Sequence, residues 1–502
     1  MKAFTCFSLF MLLVTGIAFC EVKGFSPGDQ TITFESTWDG SEQLYRIYLP
    51  KVVSSATPVP LLVVLHGKTV DHNAWFDYTP IKEFADKYGY VVVAPYGRGD
   101  YFYQGPAERD VLDIMDIVLE RDNIDPDRVY LMGHSMGGWG TWWIGLRHPE
   151  RFAAICPMAG FCPLELLPNA FHLAPYIVHD ASDPIVSVEH SRAAARRLER
   201  LGQPYVYREE HGYGHSSKMI GDNLDRLFLW MNAHRRNLRP GHVRFVTRTP
   251  VSGDAYWMRV LETAEFPKPA ALEAQLDESA QLLLAAKGVK KFAFDLKQFM
   301  GKSHFPIRTQ LDGQTFTLLG NFGWGIFTRS GTAGKWQYHH QREVPPPYVS
   351  PVVGQVQPKE GAAALGQAEL LDAAVKLLLE QVEADVALFT EDMFIGKLAA
   401  GPLSADQVLD LYVYSEKRLG RFECTGERFK TILETESPPG KEWWGRLKPV
   451  GKEVADPEKT YKVIAPLHVA TTFEKEPEVL SETIPEYLYQ AIHKKAPITL
   501  GP

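Results

Sequence analysis

Val129-Tyr130-Leu131-Met132-Gly133-His134-Ser135-Met136-Gly137-Gly138 decides the reading of this chain. An apolar, strand-like run enters Gly-x-Ser-x-Gly, and a helical pattern from Trp139 to Arg147 follows. Strand, tight turn and helix in that order present a serine in a strained turn with its hydroxyl above a sheet. The glycines at 133 and 137 let the backbone segments crowd together there. The helix that begins just after the serine aims its unpaired N–H groups at the point where an oxyanion would form.

A serine hydroxyl is a weak nucleophile and needs a base, which in turn needs an orienting carboxylate. Both are expected downstream, at the ends of later strands, in the order Ser, acid, His. Ala174 to Asp180 reads as a buried strand, followed by the acid-bearing turn Ala181-Ser182-Asp183-Pro184-Ile185-Val186. An Arg/Ala-rich helix is expected over 188–201, then a strand over 205–208, then His211-Gly212-Tyr213-Gly214-His215-Ser216. Two acids, Asp180 and Asp183, and two histidines, His211 and His215, compete for the supporting roles.

Residues ~25–237 resemble the α/β-hydrolase superfamily, and within it secreted feruloyl esterases, polyhydroxybutyrate depolymerases and prolyl-oligopeptidase-like serine hydrolases. The matching pieces are Leu65-His66-Gly67, Ala94-Pro95-Tyr96-Gly97, Gly133 to Gly137, Asp183-x-x-Val186 and Gly214-His215. The resemblance implies Ser135 as nucleophile, His215 as base and Asp183 as the orienting acid. It implies an oxyanion hole made by the backbone N–H groups of Met136 and Lys68. It also places Lys68, Thr69, Trp75, Tyr96, Arg98 and Tyr101 in loops where the superfamily builds its pockets, so Trp75, Tyr96 and Tyr101 are the expected substrate contacts. No cofactor and no metal is called for. Gly221-Asp222-Asn223-Leu224-Asp225 resembles a metallophosphatase box only superficially and is expected to be a loop and helix cap.

The fold expected over 21–239 is a doubly wound, mostly parallel α/β sheet. Leu61 to Leu65 and Tyr90 to Ala94 are continuous apolar runs, the pattern of parallel strands covered on both faces. Thr31 to Thr37 and Gln43 to Leu49 alternate and should form an antiparallel hairpin at the edge. Asp110 and Asp113 are expected on the solvated face of a helix running from 110 to 120.

At 502 residues the chain should hold about three domains. The composition is that of a globular protein, 45% hydrophobic and 23% charged, and the net charge of −8 offers no basic stripe for nucleic acid. Residues 1–20, with Lys2 before a short apolar run and small residues after it, read as a secretory signal peptide. No other stretch is long and apolar enough to span a bilayer, so the mature chain is expected to be exported, secreted or periplasmic. An exported location would permit a Cys156–Cys162 bridge; two buried thiols are the alternative.

Short strand-like segments separated by turns over 240–343 suggest a small β-sandwich. Residues 344–365 read as a Pro-rich linker. Residues 366–502 resemble the C-terminal domain of bacterial 5′-nucleotidases in framework alone. Thr390 to Lys397 and Pro466 to Phe473 stand where that family keeps its arginine and glycine loop, so nucleotidase activity is not expected. The functional expectation is an exported hydrolase of carboxylic esters, a carbohydrate esterase of feruloyl or acetyl type acting on an ester that is polysaccharide-linked. A prolyl-oligopeptidase-like peptidase and a non-catalytic ligand-binding or scaffold protein are the alternatives. Oligomeric state is not legible.

Overall fold

The computed structural model describes residues 25–51, 57–121, 123–300, 306–318, 323–331, 333–346, 348–358, 364–390, 393, 397–399, 401–412, 418–434, 447–474, 476–494 and 498–500. The expected signal peptide lies outside the described residues.

Eight strands form the first sheet: β1 (Gly28–Glu35), β2 (Glu42–Leu49), β3 (Val59–Leu65), β4 (Val91–Pro95), β5 (Ile124–His134), β6 (Ala154–Met158), β7 (Tyr176–Asp180) and β8 (Val206–Glu210). Their order is β1-β2-β4-β3-β5-β6-β7-β8. β1 and β2 form the antiparallel edge hairpin, β2 meets β4 antiparallel, and every later pairing is parallel. The continuous apolar runs have the burial that their sequence demands. Leu61, Val63, Leu65, Val93 and Leu131 feed one core, while Leu62, Val64, Val92, Tyr130 and Met132 feed the core on the opposite face. Alternate side chains of a strand leave on opposite sides, so a strand covered twice has no room for polar residues.

Six helices cover the two faces: α1 (Ala74–Tyr78), α2 (Ile81–Tyr88), α3 (Pro106–Arg121), α4 (Met136–Arg147), α5 (Glu189–Arg200) and α6 (Ser217–Asn232). α6 starts earlier than the residue pattern suggested. The Ser216 hydroxyl accepts the Lys218 N–H at 3.1 Å and caps the helix, so Gly221 to Asp225 lie inside it rather than in a loop. α3 also departs from expectation. Asp110 and Asp113 are buried, not solvated. Asp110 accepts the Arg98 guanidinium at 2.7 Å, and Asp113 accepts the Thr37 N–H at 2.9 Å and Arg109 at 2.7 Å. These carboxylates pin α3 to the β1–β2 turn and to the loop after β4. Periodicity marks the apolar face of a helix, but it does not reveal what a distant turn lays over the other face.

Among the described residues between His242 and Gln341, ten strands form two five-stranded sheets that share one core, with Phe245, Leu272 and Leu282 from one sheet and Met258, Phe292 and Phe327 from the other. One pairing, Leu282–Lys287 with Ile307–Leu311, is parallel. The buried Asn169 side chain joins this unit to the first sheet's layer. Its amide nitrogen donates to the carbonyls of Leu146 and Val246 at 2.8 Å, and its oxygen accepts the Val246 N–H at 2.6 Å.

The segment expected as a linker is not one throughout. Val352–Val356 is a strand, antiparallel to Gly401–Ser404 and parallel to Ile498–Leu500. Flanking prolines masked its β-branched run; proline is compatible with a strand when it stands just outside it. Beyond it, a five-stranded sheet in the order Lys448–Gly451, Val386–Phe389, Thr460–Pro466, Arg418–Thr425, Glu478–Thr483 forms the heart of the C-terminal part. Cys156, Cys162 and Cys424 are buried, and Cys156 and Cys162 are not bridged to each other.

Candidate active site

Ser135 stands between β5 and α4 with φ 61° and ψ −120°, a conformation that costs a non-glycine residue free energy and persists only where its surroundings fix it. The fixing is visible. The Ser135 N–H donates to Met158 O at 3.0 Å, and the Trp139 N–H donates to Ser135 O at 3.0 Å, which starts the helix. A Cβ on Gly133 would collide with the Gly137 carbonyl, one on Gly137 with the Leu65 carbonyl, and one on Gly138 with the Met158 carbonyl. The turn therefore exists because its neighbours are glycines. Its sharpness places Ser135 in a cleft of about 240 Å³ together with Lys68, Trp75, Tyr78, His134 and His215.

His215 reaches that cleft from the loop after β8. Gly212 and Gly214, at φ 85° and 59°, bend this loop, and Asp180 accepts the Tyr213 N–H at 2.8 Å and holds it down. The imidazole Nδ1 of His215 lies 2.6 Å from Asp183 Oδ2. A carboxylate only accepts, so Nδ1 carries the proton and Nε2 is left as the basic nitrogen. The other oxygen of Asp183 accepts the N–H groups of Ile185 at 2.8 Å and Val186 at 2.9 Å. Burial alone would raise the Asp183 carboxyl, but its bonds to His179, His215 and the Val186 N–H hold it well below the usual carboxylate range. Asp180 faces elsewhere, accepting Ser182 N–H at 2.8 Å and its hydroxyl at 2.6 Å, and His211 is exposed.

Of the remaining sequence-derived residues, Lys68 and Trp75 line the cleft. Trp75 is buried and its indole N–H is committed to Leu65 O at 2.8 Å, so it forms a wall. Tyr96 and Tyr101 are not among the residues that line this cleft. The Tyr96 carbonyl lies 2.8 Å from His66 Nε2 and its ring packs edge-on against His72, so its loop is used to brace the one after β3. Burial raises Tyr101 to about 12 beside Arg98.

Sequence reasoning missed Tyr78, at 68% exposure an aromatic on the rim of the cleft. It also missed His134, although His134 lies within the motif. The His134 ring packs tilted against His215, with centroids 4.6 Å apart and 38° between the planes, and burial, reinforced by the His215 charge, depresses it to about 3. A neutral ring thus supports one face of the His215 imidazole. Among the described residues no group of three or more His, Cys, Asp or Glu side chains is placed to hold a metal, and no helix is long and apolar enough to cross a membrane.

Residues 39–198 match the Esterase family. Among curated proteins, the chain is 25% identical over 252 residues to an uncharacterized secreted protein of Arthroderma benhamiae, a match covering 42% of this chain and 27% of that one. It is 30% identical over 171 residues to the bifunctional acetylxylan esterase/xylanase XynS20E of Neocallimastix patriciarum, covering 32% and 24%. It is 26% identical over 157 residues to feruloyl esterase B of Neurospora crassa, covering 29% and 53%. The chain thus spans between about a quarter and about half the length of these relatives. The matched segment holds Ser135 and Asp183, while His215 lies beyond it and joins them through the fold. Residues 39–198 carry the signature of the Esterase family on a sheet with the strand order of an α/β-hydrolase.

Proposed function

We propose that this chain is an exported serine hydrolase that cleaves carboxylic esters through an acyl-enzyme, with feruloyl or acetyl groups on carbohydrate as its substrates. Ser135 Oγ attacks the acyl carbon while His215 Nε2 takes its proton. Asp183 holds the Nδ1–H and offsets the charge of the imidazolium that forms. The tetrahedral oxyanion is held by the backbone N–H groups of Met136, at the start of α4, and Lys68. Collapse expels the alcohol, which receives the proton from His215. Water then repeats the sequence on the acyl-enzyme and restores Ser135.

The observation that carries this reading is the 2.6 Å bond between His215 Nδ1 and Asp183 Oδ2, with His215 and a strained Ser135 lining one cleft. The names of the acetylxylan and feruloyl esterase relatives favour carbohydrate esters. Tyr78 on the rim offers a face on which a sugar ring can stack. Export is supported by residues 1–20 and by the similarity to a secreted protein. The C-terminal part is proposed as a relative of the 5′-nucleotidase C-terminal domain that has lost its phosphate and base contacts.

The test is turnover on p-nitrophenyl acetate, methyl ferulate, acetylated xylan and aminoacyl-anilides, with the wild type and Ser135→Ala side by side. Esters should turn over and depend on Ser135. Faster hydrolysis of the anilides would mean a peptidase, and no Ser135-dependent turnover of any of them would mean a binding protein.

A further inference from the structure

The Asp183 carboxylate has a neighbour that the triad does not need. His179, the fourth residue of β7, is fully buried. Its Nε2 lies 2.9 Å from the Val186 carbonyl oxygen and 3.5 Å from Asp183 Oδ2. Its Nδ1 lies 2.7 Å from the hydroxyl of Ser191, in the first turn of α5. A carbonyl only accepts, so the proton sits on Nε2, and Ser191 therefore donates to Nδ1. The ring is held at both ends, by a helix on one side and by the acid's own turn on the other. Its Nε2–H closes the turn over 183–186, the same turn whose Ile185 and Val186 N–H groups hold Asp183 Oδ1. The remaining reach of that N–H is toward Oδ2, the oxygen that binds His215.

We propose that His179, its tautomer locked by Ser191, is a positioning residue for Asp183: it keeps Oδ2 aimed at His215 Nδ1 by closing the acid's turn and by presenting an N–H to the carboxylate from behind. The relay is thus longer than three residues, running Ser191, His179, Asp183, His215, Ser135, and it ties α5 to the nucleophile. This rests on the reading of Ser135, His215 and Asp183 as the reacting set. The titratable groups against the Asp183–His215 pair are His134 from the end of β5 and His179 from β7, and Lys68 from the loop after β3 lines the same cleft as His215. Asp180 is turned away, accepting from Ser182 and from the Tyr213 N–H. Among the described residues the hydrogen bonds to the Asp183 carboxylate come from His215 and from the Ile185 and Val186 N–H groups, and His179 Nε2 is a further side-chain donor 3.5 Å from it.

The experiment compares wild type, His179→Leu, His179→Gln, Ser191→Ala and Ser135→Ala on one soluble ester, reading kcat, KM, the acid limb of the pH profile and melting temperature. His179→Leu removes the donor and keeps the volume. It should lower kcat by about tenfold or more with KM nearly unchanged, because a misaimed base slows chemistry without weakening binding. The acid limb should move to lower pH, since an unheld carboxylate supports the His215 imidazolium less well. His179→Gln restores an N–H on a shorter arm and should recover part of kcat at a similar melting temperature. Ser191→Ala, which spares the imidazole, should give a smaller loss in the same direction and provides the test if His179→Leu fails to fold. Activity losses that follow melting temperature alone, with the acid limb in its wild-type place, would overturn the proposal. An acid limb displaced to higher pH would overturn it too, since His179 would then be competing for the carboxylate instead of holding it. Activity that survives Ser135→Ala would instead sink the triad itself, a separate failure.

Discussion

At the scale of single residues, the site is made by what is missing as much as by what is present. Gly137 has no Cβ because the Leu65 carbonyl oxygen occupies the space. Gly137→Ala should therefore push α4 away from β3, costing about 1–3 kcal/mol of stability and most of the turnover. Urea unfolding and ester hydrolysis on the same preparation check this, and an active variant of wild-type stability would contradict the account. Ser135→Ala should be the reverse case, with turnover lost and the melting temperature within a few degrees of wild type. Much of this scale was legible in the sequence, since a strand running into Gly-x-Ser-x-Gly and a helix has few physical solutions. The choice between Asp180 and Asp183 was not legible in the turn itself, because both are short acids at a strand end. The fold separates them by direction, with Asp180 spent on the His215 loop and Asp183 on the imidazole.

At the scale of elements, α3 shows how acids on a helix can hold a fold together. Glu108 is buried and accepts the Trp143 indole at 2.8 Å, Arg147 at 2.9 Å and His148 at 2.7 Å, joining α3 to α4. Burial opposes its ionisation, but the charges and donors of Arg147 and His148 outweigh burial and hold it at about 2. A folded-state value below the unfolded one means stability that is present above the ordinary carboxyl range and is lost as pH falls toward about 2. Glu108→Gln should thus destabilise by about 1–3 kcal/mol at pH 7. The deficit should narrow as pH drops below about 4.5, which denaturant unfolding at several pH values measures. A deficit that stays constant with pH would show that the carboxylate charge contributes nothing. Asp110 and Asp113 on the same helix were misread from sequence because their partners lie far along the chain: Thr37 is 76 residues from Asp113, and Ser36 is 74 from Asp110.

At the scale of the molecule, the three parts of the chain meet beside α4, around a cavity of about 260 Å³ lined by Glu108, Arg147, Arg248, Asp406 and Asp410 among others. Burial, reinforced by the negative charges of Glu108 and Asp406 and opposed by Arg147, raises Asp410 to about 7. A raised value works in the opposite sense to Glu108: its contribution is complete below the unfolded carboxyl value and disappears as pH rises through about 7. Asp410→Asn should gain stability over wild type as pH climbs from 4 to about 7, with no further gain above, as melting curves across that range will show. Little at this scale was legible. Alternation gave away the β-rich middle part, but the Asn169 bridge has no local pattern, because it exists only through contacts made at long range, and the strand inside the Pro-rich segment has its β-branched run hidden by flanking prolines. The most direct test of the central claim treats the intact protein with a fluorophosphonate and maps the adduct by mass spectrometry. A single phosphonylated residue at Ser135, absent from Ser135→Ala and suppressed in His215→Ala, is the predicted result; labelling elsewhere, or labelling that persists without Ser135, would contradict it.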